Sequence, residues 1–225
     1  MDSTRIHILH VAEKVFADKG LWRTSVHDLA KACDLGAASL YHYYPNKEAI
    51  FFAILEQNLK NLLEKCREQL AGITDPISRL EKYIWFNFNY AQSYPENSRL
   101  VLLELRHRYE LAKIPAYHYM RELVNQLIPI LRDGQEKGIF DRNLDSLTFR
   151  NIVWGTLEAF TRNWLIFKKP ETIVEYAFPV TQAILNGVLF TGLRSVDVDT
   201  GLEGGRNPGR NNRKQIGRTD RTRGD

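Results

Sequence analysis

Apolar positions recur at three- and four-residue intervals along most of the chain, and no stretch bounded by turn residues alternates with period two. The pattern predicts an all-α protein. Ile8, Leu9, Ala12, Val15 and Phe16 share one helical face, and Gly20 follows where a left-handed cap residue would end that helix. Val26, Leu29, Ala30 and Cys33 repeat the spacing behind Ser25, with Asp28 three residues after the serine as in a capping box. Asp34-Leu35-Gly36 reads as a tight turn in which Asp34 takes the left-handed conformation, and Ala37 to Tyr43 reads as a third short helix. Pro45 ends it, and Asn46 is a suitable N-cap for a helix starting at Lys47.

Beyond Lys47 the periodic segments lengthen, and turn signals divide them into five to six helices. The breaks are Gly72 to Pro76, Tyr94-Pro95, Ile114-Pro115, Lys137-Gly138 to Asn143, and Lys169-Pro170. The segments Tyr83 to Tyr90 and Ile152 to Phe160 are apolar nearly all round, as expected of helices covered on every side. From about Arg194 the chain turns to Gly, Asn, Arg, Thr and Asp, the composition of a disordered tail. The expected organisation is therefore a three-helix head over residues 1–47, a helical bundle over 48–193, and a basic tail over 194–225.

Charge changes the picture mainly by its placement. The 31 Lys and Arg exceed the 27 Asp and Glu by four, yet seven basic residues face only Asp220 and Asp225 after Gly204. The rest of the chain sums to about −1, and residues 1–60 carry seven charges of each sign. Two cysteines, Cys33 and Cys66, supply neither a disulfide framework nor a zinc set, and no run of 18 apolar residues or signal-peptide pattern occurs. These features point to a cytoplasmic protein with no membrane contact. His7 and His10 stand three apart with no carboxylate or Cys completing a metal set, so they read as surface histidines, as do His107 and His118. No metal and no cofactor are expected.

Two short helices joined by a tight turn let the second lie in the DNA major groove while the first braces it across the backbone. The whole run Thr24 to Glu48, with Ser25, Asp28, Leu29, Ala30, Leu40, Tyr41, Tyr43, Tyr44, Pro45 and Lys47, resembles the DNA-binding domain of TetR-family transcriptional regulators. So does the preceding helix with Ala12, Phe16 and Gly20. The resemblance implies that helix three is the recognition helix, with Leu40 and Tyr44 inward and Ala37, Ala38, Ser39, Tyr41, His42 and Tyr43 toward the groove. It implies a phosphate clamp at Ser25, Tyr41 and Lys47, with His27 beside it. The chain departs from the family in having Asp34 where a turn Gly is common, and Gly36 where a Ser or Thr is. No helix-three Arg is present to read guanine, so specificity is expected from few side chains and from DNA shape.

By the same resemblance the protein is a homodimer on a palindromic double-stranded operator. Its interface lies in the last two long helices, about 144–168 and 171–193, with Val153, Phe178, Leu185 and Phe190 as contacts. An effector pocket is expected in the bundle, where Trp85, Phe88, Asn89, Glu104, His107, Tyr117, Met120, Trp154, Glu158 and Phe160 combine apolar surface with a few polar groups. A hydrophobic effector fits this set. Arg99, Arg106 and Arg108 make a fatty acyl-CoA the first choice, although a solvated helix face is the plainer reading of the three. The competing class is a helical enzyme or adaptor in which the Tyr41 to Lys47 segment is only a structural corner. Glu104 and Glu158 lack a nucleophile or metal cluster that would make them catalytic.

Overall fold

The computed structural model describes residues 3–104 and 114–189, except for the side chain of Glu104. Among the described residues the chain is helical without a strand, and one bridge pairs Phe140 with Leu189. The head holds α1 (Ser3–Arg23), α2 (Val26–Ala32) and α3 (Ala37–Tyr43). Gly20 breaks α1 at φ 76° and ψ 159°, a region that only glycine enters cheaply. The capping box at α2 forms as the sequence predicts: the Ser25 hydroxyl accepts from the Asp28 N–H at 3.1 Å, and the Ser25 N–H donates to the Asp28 carboxylate at 2.9 Å. Asp34 takes φ 55°, and Asn46 caps the next helix by accepting from the Ala49 N–H at 2.7 Å.

That helix, α4 (Lys47–Leu70), runs about 36 Å at 1.5 Å per residue and belongs to both parts of the molecule. Its first turns bury Ile50, Phe51, Ile54 and Leu55 under the head, where the Phe51 ring meets Phe16 edge to face at 5.5 Å. Its later turns bury Leu59, Leu62, Leu63, Cys66 and Leu70 in the bundle. The bundle continues with α5 (Pro76–Ser93), α6 (Pro95–Arg99), a π-helical turn (Leu100–Glu104), α7 (Pro115–Asn125), α8 (Leu127–Glu136), α9 (Ser146–Phe167), a 3-10 turn (Ile173–Tyr176) and α10 (Ala177–Val188). α5 is the axis, touching α4, α8, α9, α10 and the 3-10 turn. Tyr83, Ile84 and Phe88 are fully buried along it.

Two boundaries differ from expectation. α7 and α8 separate at Gln126, with Pro129 in the first turn of α8, where a missing N–H leaves no helical bond unmade. The last helix begins at Ala177 and not near Glu171, because the 3-10 turn occupies the segment after Pro170. The tail from residue 194, with its expected disorder, lies outside the described residues.

Candidate DNA-reading head and effector cleft

On α3 Leu40 is buried, and the cap residue Tyr44 is half-buried beneath the Arg5 guanidinium at 5.8 Å. Ala38, Ser39, Tyr41 and His42 are exposed, and Ala37 and Tyr43 are partly covered. A row of small and polar groups therefore faces outward over an apolar base, the shape an α-helix needs to enter a major groove. Gly36 caps α3 without any side-chain hydrogen bond. His27 is exposed beside the α2 N-terminus.

The Ser25 and Lys47 side chains, expected to grip phosphates, have partners within the fold. The Ser25 hydroxyl also donates to Asp28 at 2.6 Å. Bonds from Ser25, with Lys19 beyond them, hold the Asp28 carboxyl well below the usual carboxylate range. The Lys47 ammonium donates to the carbonyls of Leu21 at 2.9 Å, Thr24 at 2.8 Å and, more loosely, Trp22 at 3.4 Å. It thus satisfies the backbone acceptors that the broken end of α1 leaves open. Tyr41, the third member, reaches into solvent, 53% exposed.

The bundle holds a small cleft between α4, α5, α6, the π turn, α7 and α9. Leu59, Leu62, Val101, Leu102, Leu123 and Leu157 give it an apolar surface, and Asn87, Tyr90, Asn97, Ser98, Glu158 and Thr161 are its polar members. Of the expected ligand residues, Met120, Trp154 and Glu158 border it. The others do not. Trp85 points outward on the far side of α5, 38% exposed, with the Lys82 ammonium 4.3 Å above its ring. Phe88 is core, 6.2 Å from Phe160, which in turn packs on Tyr176 at 4.7 Å. Asn89 and Tyr117 lie off the cleft; on α5 the lining set is Asn87, Tyr90 and Ala91. On α5, ring content marks the helix as central without saying which of its faces is hollow. His107 and the side chain of Glu104 are outside the described residues.

Between cleft and head lies a polar connection that sequence reading missed. Arg99, at the end of α6, donates from Nη1 to the Leu165 carbonyl at 3.1 Å and from Nε to the Ala17 carbonyl at 3.4 Å. It is therefore tied to α9 and α1 and is not an open anion site; Arg106 and Arg108 lie outside the described residues. Nearby, Asn58 of α4 donates to Glu13 of α1 at 2.6 Å. Burial pushes the Glu13 carboxyl above its usual range, and the Asn58 bond only partly offsets this.

On the outer faces of α9 and α10, Ile152, Ile166, Phe167 and Phe178 are exposed, Phe178 by 73%. Gly155 and Gly187 look into open space on the same helices. Val153 and Leu185, expected at a dimer interface, are buried in the subunit core instead, and Phe190 is outside the described residues.

Comparison with known proteins accounts for both halves of the chain. A family model described as bacterial regulatory proteins of the tetR family matches residues 8–54, and one described as the C-terminal region of YsiA-like proteins matches residues 55–187. The chain belongs to the TetR family. It is a DNA-binding transcriptional regulator, of the ligand-responsive repressor type, and membership favours this over a helical enzyme or adaptor. Among curated TetR relatives, the fatty acid metabolism regulator protein of Bacillus subtilis is 21% identical, covering 81% of this chain and 94% of its own. The HTH-type transcriptional repressor KstR2 of Mycobacterium tuberculosis is 27% identical, covering 68% and 77%. The solved fatty acid degradation regulator FadR of Bacillus halodurans shares the TetR fold with a TM-score of 0.76 at 24% identity, covering 83% of this chain and 97% of its own. Among the described residues, no helix is long and apolar enough to cross a membrane.

Proposed function

We propose that the protein is a cytoplasmic, homodimeric repressor that leaves a palindromic operator when a hydrophobic effector, foremost a long-chain fatty acyl-CoA, enters the cleft. The carrying observation is the cleft itself. Its lining is chiefly aliphatic with few polar groups, as in ligand pockets set between the helices of a bundle. The acyl-CoA part draws support from the relatives: the FadR of Bacillus subtilis, 21% identical with a TM-score of 0.73 over 81% of this chain and 98% of its own, was solved in complex with stearoyl-CoA. Arg99, being engaged with carbonyls, gives the nucleotide phosphates no support. No catalytic step is part of this function.

The DNA face consists of Ala37, Ala38, Ser39, Tyr41, His42 and Tyr43, with Ser25 and His27 at its edge and Lys47 behind it. The dimer forms through the exposed apolar residues of α9 and α10, with Phe178 foremost among them. Two subunits are needed because one recognition helix spans few base pairs, whereas a two-fold pair reads half-sites set by their separation. α6 and the π turn form one cleft wall and also touch α1. A ligand that displaces this wall displaces the head through Arg99 and through α4. Coupling then requires that the effector bind the DNA-incompetent arrangement more tightly, and DNA must weaken effector binding by the same factor.

A panel of acyl-CoAs, free fatty acids and uncharged aromatics, screened for thermal stabilisation and for operator release, tests the reading. Long-chain acyl-CoAs are expected to do both. If only an uncharged aromatic does, the thioester choice is wrong and the hydrophobic cleft stands; if nothing apolar binds, both are wrong.

A further inference from the structure

We propose that Asn97 is a specificity residue of the cleft, reading a neutral hydroxyl or carbonyl carried within the apolar body of the effector. Asn97 lies on α6 and borders the cleft, only 5% exposed. Its Nδ2 donates to the Tyr90 hydroxyl at 2.8 Å, while its Oδ1 is buried with no hydrogen-bond partner. A primary amide turned over exchanges the two atoms, so that Tyr90 donates to the oxygen and the nitrogen is left over. In either arrangement one amide atom stays unpaired.

Buried polar groups left without partners are rare, because each forfeits its bonds to water and gains nothing. A ligand group that comes from the cleft within hydrogen-bond distance of this atom repairs the deficit. Its chemistry follows from the surroundings. Leu59, Leu62, Val101, Leu102, Leu123 and Leu157 share the cleft, and a charged group there would lose its hydration for one amide bond. Burial holds the Tyr90 phenol protonated, its pKa raised well above the usual value, so the pair presents neutral partners only. The other polar members differ: the Asn87 amide donates to the Tyr83 carbonyl at 2.8 Å, and Glu158 has an interaction of its own. The inference rests on the cleft being the effector site, but not on the effector being a thioester.

The test is calorimetric titration of the wild-type protein and Asn97→Leu with ligands that differ in one group. S-hexadecyl-CoA has a bare chain, palmitoyl-CoA adds a carbonyl, and 3-hydroxypalmitoyl-CoA adds a hydroxyl as well; dodecylbenzene and dodecanophenone form an uncharged pair. The wild type is expected to bind at least one functionalised member roughly five- to a hundredfold more tightly than its bare counterpart, the span of one unmade buried hydrogen bond. Asn97→Leu is expected to abolish that preference while binding the bare ligand at least as well. An unchanged ranking in the variant, or no preference in the wild type, overturns the assignment. If only the uncharged pair binds, the thioester reading fails and that pair decides the role of Asn97. If no ligand binds the wild type, both readings fall. Asn97→Ala replaces the leucine variant should the latter not fold.

Discussion

Lys47 shows how one side chain can satisfy a family's sequence pattern and yet be committed inside the fold. Its ammonium closes the broken end of α1, so Lys47→Ala strips partners from the Leu21 and Thr24 carbonyls. We expect a loss of about 1.5–3 kcal/mol, the usual worth of hydrogen bonds to a charged group, measured by urea unfolding. The dependence of operator affinity on log salt should change by well under one, since one phosphate contact contributes about 0.9 to that slope. A change of a full unit with stability intact would show that the lysine reaches DNA. Glu13 offers a second test at this scale. Its folded pKa is raised, so the ionised carboxylate costs stability above that pKa, and the cost disappears below the ordinary value of 4.5. Glu13→Gln should therefore melt higher than wild type at pH 8, with the difference vanishing by pH 4; a gap that widens on acidification would contradict the burial account. The local devices were legible in the sequence because each is decided within four residues: the Ser25–Asp28 box, Asp34 in its turn, Asn46 as a cap. The partners of Lys47 lie 23 to 26 positions away, and no local pattern announces them.

Among the elements, helix existence could be read from periodicity, while faces and some boundaries could not. Pro and Gly marked most breaks, but Gln126 separates α7 from α8 with neither residue beside it. Of the residues expected to line a pocket, the structure brings Trp154 and Glu158 of α9 to the cleft and turns Trp85 of α5 away from it. α6 was invisible as a wall because five residues are too few to show a period. Its terminal Arg99 carries a prediction. Arg99→Ala should bind effector within about threefold of wild type yet release operator poorly when saturated, since coupling of 1–3 kcal/mol is what such a link carries. Loss of effector binding and operator release in parallel would mark Arg99 as merely structural. Gly134 of α8 carries another, at the level of packing. A Cβ there would overlap the buried Phe140 ring, so Gly134→Ala should cost about 1–3 kcal/mol despite its better helix propensity, as read from the unfolding midpoint.

For the whole molecule, the expected dimer concentrates its dependence on a few exposed rings. Phe178→Glu should shift the protein toward monomer in light scattering at micromolar concentration and weaken operator binding, with the melting temperature of the subunit little changed because Phe178 contributes little to its core. An unaltered dimer would move the interface elsewhere. The balanced head makes the commitment of Lys47 matter beyond the subunit. A repressor in a cell is distributed between its operators and a vast excess of unrelated duplex, roughly 10⁶–10⁹ competing sites, and its hold on the latter grows with each phosphate it neutralises. With seven charges of each sign in residues 1–60 and one lysine turned inward to its own carbonyls, this head has little to offer random sequence. Fewer copies are then sequestered along the chromosome, and a small pool of protein suffices to keep its operators filled.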